Sequence, residues 1–170
     1  MKKMMLLGVA VVALVLVSAG VWAVMAYTAR FSRTEPVGGS GQYVVQDKIT
    51  GYIWQGCPAG LTGANCDTGT IITKTWADAQ TYCNGLNWGG EATGWRLPDI
   101  KELSSIVESR KSSPSMDTTA FPATPSNNFW SSSSHARNSS NAWYVIFNYG
   151  FVDVYSKSSP NDVRCVHSGP

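Results

Sequence analysis

The chain has 170 residues, 14% of them charged, with a formal net charge of +2. No basic stripe runs along it, so nucleic acid is not an expected partner. The first thirty or so residues are not globular in character, and the remaining stretch of about 130 suits one domain with a single core.

Lys2 and Lys3 precede an uncharged run from Met4 to Tyr27. At roughly 1.5 Å per residue, a helix of that length crosses a hydrocarbon core of about 30 Å. Residues 1–27 therefore read in one of two ways. They are a cleaved signal peptide, with small-residue sites at Val24-Met25-Ala26 or Ser18-Ala19-Gly20, or a retained transmembrane anchor that makes the membrane a partner through residues 4–27. Both export the rest of the chain, because the two lysines hold the N-terminus inside. Residues 28–42, TARFSRTEPVGGSGQ, read as a flexible linker. Residues 43–170 make up the domain.

Within the domain, YVVQDKITGYIW reads as a strand pair around Thr50-Gly51, followed by a Gly-rich loop and a short strand from Thr70 to Thr73. Thr75 is a helix N-cap, with Trp76, Ala79, Tyr82 and Cys83 at helical spacing and Asn84-Gly85 as the stop. Trp95 to Leu97 is a short extended piece. Pro98 suits the first turn of a second helix, DIKELSSIVES, whose Ile100, Leu103 and Ile106 or Val107 form one stripe. Residues 111–128 are a long polar loop. Strands come next at Phe129 to Ser132, across a hairpin from 143 to 156, and at Val163 to Val166. The order β, α, α, β indicates an α+β domain, loop-rich, with two helices and a mainly antiparallel twisted sheet.

Cys57, Cys66, Cys83 and Cys165 all lie in the exported part, where an even count points to two disulfides. Three pairings are open. Cys57 and Cys66 flank the loop PAGLTGAN and favour local closure, which leaves Cys83 for Cys165. The spacing is not CxxC and no His pair accompanies it, so a metal centre is not expected.

The hairpin WYVIFNYGFVDVYS is the most informative stretch. Side chains two apart share a face of a strand. Trp143, Val145, Phe147, Val152 and Val154 make an ordinary core face. The other face carries Tyr144, Ile146, Phe151, Asp153 and Tyr155, where a solvated face usually carries Lys, Glu, Thr or Ser. Such a face is built to touch a partner or is covered by another layer, for which residues 111–128 are the candidate.

TWADAQTYCNGL, GWRLPDIKEL, FWSSS, AWYVIFNYG and VRCV occur in this order. Together, over roughly Tyr52 to His167, they resemble the Lcl C-terminal domain family of exported bacterial adhesins. The resemblance implies a C-type lectin-like fold, akin to its formylglycine-generating branch, and supports the Cys83–Cys165 bridge. Residues 131–162 also resemble the variable region of proteins diversified by retroelements, in which adenines of a template repeat are randomised. With a pyrimidine as last codon base, Trp, Lys, Glu, Gln and Met cannot arise there. Between Ser131 and Asp162 only Trp143 and Lys157 belong to that set, as fixed framework.

Catalysis is not expected. His135 and His167 sit in no motif, WSSSS lacks a nucleophile elbow, and Glu102 and Glu108 read as a solvated helix face. Formylglycine-generating oxidases use two free cysteines, and here the cysteines read as structural. Asn161-Asp162 superficially resembles the calcium-ligand pair of some C-type lectins, but Cys165 is the final cysteine, so the register is wrong. No metal or cofactor is expected. The expected function is recognition of an extracellular glycan or protein. Tyr144, Ile146, Tyr149, Phe151, Asp153 and Tyr155 form the centre of the face. His135, Arg137, Asn138, Ser156, Ser158, Asn161 and Asp162 form its rim. The alternative is an envelope-assembly domain that uses the face as an oligomer interface.

Overall fold

The computed structural model describes residues 29 to 169, so the signal or anchor expected over residues 1–27 lies outside the described residues. Among the described residues no helix is long and apolar enough to cross a membrane.

The first sheet starts earlier than the expected domain boundary. Residues 28–42 are not simply a linker: strand β1, Phe31–Thr34, pairs antiparallel with β2, Val44–Asp47. Arg33 anchors it, donating to Gly56 O at 2.9 Å and Ala64 O at 3.0 Å while lying over the Tyr43 ring. The glycines that flagged flexibility come after β1 rather than replace it. β2 turns into β3, Ile53–Gln55, through Asp47, whose carboxylate accepts from Ile49 N–H and Thr50 O–H. Gly51 supplies the positive φ of that turn.

Cys57–Cys66 closes the next loop, which carries a two-residue ladder of β4, Leu61–Thr62, and β5, Thr68–Gly69. The strand expected from Thr70 to Thr73 does not form. Lys74 instead bridges Asn161 through both backbone groups.

Helix α1, Trp76–Asn84, begins at the Thr75 cap and buries Ala79 and Cys83. β6 is Trp95–Arg96. Helix α2, Ile100–Ser105, is shorter than its apolar stripe implied. Asp99, not Pro98, starts it: Asp99 accepts from Lys101 N–H and Glu102 N–H, and Glu102 reaches back to Asp99 N–H in a capping box. Ile106 ends the helix as its C-cap while remaining buried. Glu102 also takes a two-pronged ion pair from Arg96, both contacts 2.7 Å, which ties β6 to α2. Glu102 is therefore not a solvated surface carboxylate.

Three strands make the second sheet in the order β7-β8-β9: Asn128–Ser134, Asn141–Ile146 and Phe151–Ser156, all antiparallel. Gly150 turns the hairpin with φ +78°, and a Cβ there would collide with Val107. The last strand, β10, is Val166–His167, later than the expected 163–166. It lies between β3 and β6, giving the antiparallel order β1-β2-β3-β10-β6.

Adjacent residues of β2 feed opposite faces of this first sheet. Val44 packs with α1, Trp88, Trp130 and the Cys83–Cys165 bridge, whereas Val45 packs with Trp54, Leu103, Phe121, Phe129, Val145 and Phe147. Cys83–Cys165 joins α1 to the approach to β10 across a separation of 82 residues. The result is an α+β fold with two helices among the described residues, mainly antiparallel sheets and both expected disulfides. It is consistent with the C-type lectin-like arrangement.

Candidate ligand-binding face

β8 is held from both sides, and this positions everything on β9. Val145 and Phe147 are fully buried, with Phe147 edge-on to Phe129 at 5.2 Å. Residues 111–128 cover this side. Met116 and Phe121 join the same cluster, and Ser115 N–H donates to Phe147 O at 2.6 Å. The long loop thus packs mainly on the core face, and on the tyrosine face only its end, Ser126 to Asn128, comes beside Ile146.

On the tyrosine face, burial falls off outward from β7. Trp130 and Ala142 are buried against the α1 side, Tyr144 is half-buried edge-on to Trp130, and Tyr155 stands edge-on to Tyr144 at 6.1 Å. Tyr155 is 46% exposed, Tyr149 59% and Phe151 67%, and the last two rings lie 5.9 Å apart. Asp153 sits directly across from Tyr144, and Phe151 directly across from Ile146. Burial first, then the neighbouring Asp153 and Tyr155, push the Tyr144 phenol up from its ordinary pKa.

β9 is an edge strand, and one expectation fails for that reason. Val152 belongs by alternation to the core face, yet it is 42% exposed. The core under that face ends at β8. Phe151 and Tyr155 on one face of β9 and Val152 on the other are therefore all exposed at the edge.

The rim residues divide. Arg137, Asn138 and Ser158 are exposed, and Ser156 Oγ lies 2.9 Å from Ser158 Oγ. His135 packs edge-on against Trp143 at 5.4 Å. The loop carrying these residues is clamped by Lys157, which donates to Ser134 Oγ and Ser139 O and lies 4.0 Å over the Trp76 ring. Asn161 and Asp162 are not exposed rim positions. Both are buried, because their backbones bridge Lys74, Asn128 and Trp130 and so draw the segment inward.

Asn161 and Asp162 instead help line a groove of about 260 Å³ with Thr73, Ser126, Asn127, Asn128, Ile146 and Pro160. Burial raises the Asp162 carboxyl above the usual carboxylate range, against the lowering effect of a hydrogen bond from Asn127. Asp162 Oδ1 and Asn161 Nδ2 are buried with no hydrogen-bond partner. Sequence reasoning missed the Ser126-Asn127-Asn128 wall. Its signal was a run of small amides before Phe129, read only as the end of a polar loop.

Among the described residues no group of three or more His, Cys, Asp or Glu side chains could hold a metal ion. All four cysteines are in disulfides. His167 is spent on packing against Trp95 and accepting from Gly169 N–H.

A disulfide-braced α+β domain with an exposed aromatic edge and an adjoining polar groove is the class these features define. The chain belongs to the Lcl C-terminal domain family, whose model matches residues 43–167. No curated protein matches the chain. The family and the two disulfides mark an exported protein.

Proposed function

We propose that the domain is a recognition module of adhesin type, displayed on the cell surface or the outer side of a membrane, which engages a glycan or protein through the hairpin. The observation that carries this is the exposure of Phe151 and Tyr155 on β9, and of Tyr149 in the turn before it, beside a strand locked in the core. Tyrosine offers contact area at small entropic cost, and Ser and Asn offer adaptable hydrogen bonds. A rigid ribbon reduces the ordering cost of association. Binding is favoured over formylglycine-type oxidation because no cysteine is left free.

Diversification of residues 131–162 by a retroelement fits the same surface. The two residues barred from its code, Trp143 and Lys157, are ones the packing ties down. The genomic test is a reverse transcriptase beside a near-copy of the 3′ end that differs only at adenines.

The functional test is binding of the labelled chain to target cells. Phe151→Ala with Tyr155→Ala abolishes it on this reading while leaving the fold intact. The second reading, an interface between copies, draws on the unpaired edge of β9. A stable oligomer in sedimentation, dispersed by the same substitutions, would establish that reading instead.

A further inference from the structure

The groove beside the hairpin calls for an occupant of definite chemistry. One carboxylate lines it, Asp162, and no Lys, Arg or His does. The rest of the wall is amide and hydroxyl, with Ile146 and Pro160 as its apolar part. An anion would face the Asp162 charge without compensation. Amides and hydroxyls each donate and accept, which matches a ligand whose own groups do both.

The fold holds Asp162 mainly through its backbone, and the side chain adds one bond, accepted from Asn127. Its backbone N–H donates to Asn128 O and its carbonyl accepts from Trp130 N–H, bonds that any residue other than proline would make. Yet the residue is 2% exposed, and Oδ1 lacks a partner. A buried carboxylate left short of donors beside a cleft indicates a role outside folding. Burial also raises its pKa, as expected for a carboxylate awaiting donors.

We propose that this groove seats one ring of an uncharged glycan, with Asp162 accepting from ring hydroxyls and Asn127, Asn128 and Asn161 completing the polar wall. Ile146 and Pro160 supply the apolar contact for the ring's C–H face. A volume of about 260 Å³ is near the lower end of ligand clefts, which suits one ring and not a buried oligosaccharide. The inference rests on the hairpin reading and narrows it, since it assigns both the ligand class and the residues beyond the hairpin that take it.

The test uses the full chain in a non-glycosidic detergent, with EDTA present. Methyl α-mannoside, methyl β-galactoside and N-acetylglucosamine are the probes, and saturation-transfer NMR is the readout. At least one binds, and Asp162→Asn, close in shape, weakens it about 10-fold or more without lowering Tm. Asn127→Ala weakens it as well. No binding by any of the three sugars, binding unchanged by Asp162→Asn, or binding only when calcium replaces EDTA overturns the proposal. The two readings separate cleanly. If sugars fail while cell binding still depends on Phe151 and Tyr155, the groove inference falls alone. If the ring substitutions spare cell binding while Asp162→Asn removes sugar binding, the hairpin reading falls and the groove stands.

Discussion

Two phenylalanines on one hairpin, four residues apart, give the sharpest test. Phe147 is fully buried and Phe151 is 67% exposed. Full burial of such a ring contributes about 1.5–3 kcal/mol by area. For Phe147, truncation adds a cavity and removes the edge contact with Phe129 at 5.2 Å, bringing the cost of Phe147→Ala to about 3–5 kcal/mol. Only about a third of Phe151 is covered, so Phe151→Ala costs about 0.5–1 kcal/mol, including its strand preference. Urea unfolding under non-reducing conditions measures both, with the midpoint shifting and the slope unchanged. A Phe151→Ala cost matching that of Phe147→Ala would show the ring to be covered and would end the case for a recognition face.

Further outcomes rest on the charges, the bridges and the lysine clamp. Asp162 has a raised folded pKa, so its contribution to stability is present at low pH and lost as pH rises through that value. Asp162→Asn should therefore be at least as stable as the parent at neutral pH, with the gap closing on acidification in a Tm–pH series. Glu102 behaves oppositely. Burial pushes its carboxyl up, but hydrogen bonds from Arg96, Asp99 N–H and Tyr52 outweigh this and leave the pKa lowered. Its contribution is present above the unfolded carboxylate pKa and fades as pH falls through the folded value, and Glu102→Gln should flatten the acid limb of the same series. Loop-closure entropy gives about 4.5 kcal/mol for Cys83–Cys165, with its separation of 82, and about 2.6 kcal/mol for Cys57–Cys66, with its separation of 9. The paired Ala variants should rank in that order in urea. Lys157→Met should speed amide exchange across residues 135–140 while leaving β8 protected, because its bonds to Ser134 and Ser139 hold that loop.

Local chemistry made much of this protein legible. Thr75 and Asn84-Gly85 mark the ends of α1 because capping depends on residues within one turn. Alternation over 143–156 places Val145 and Phe147 on the core face, and both are buried; Trp143 on the same face is only half-buried, packed on His135, and Ala142 on the opposite face is buried. The cysteine pairing agrees with count and spacing. Asp99 and Glu102 stand at the local spacing of a capping box, so this helix start was within reach of the sequence and Pro98 was given its place; the Arg96 ion pair on Glu102 was not legible there. Where neighbours in sequence do not decide, the reading failed. Phe31–Thr34 looked like linker because its partner β2 lies beyond a glycine-rich gap.

From the sequence alone come the exported domain, its two bridges, its α+β order and the identity of the two hairpin faces, all set by composition and short-range spacing. Tertiary structure decided how far each face is covered: residues 111–128 fold onto Val145 and Phe147, Tyr144 is half-buried against Trp130, and Tyr149 and Tyr155 stay exposed. It also decided that β9 is an edge, which exposes Val152, and that Asn161 and Asp162 turn inward to line a groove with Asn127 and Asn128. Periodicity tells a strand which side chains point together. What lies opposite them is set by segments tens of residues away, and only the packed chain brings those into place.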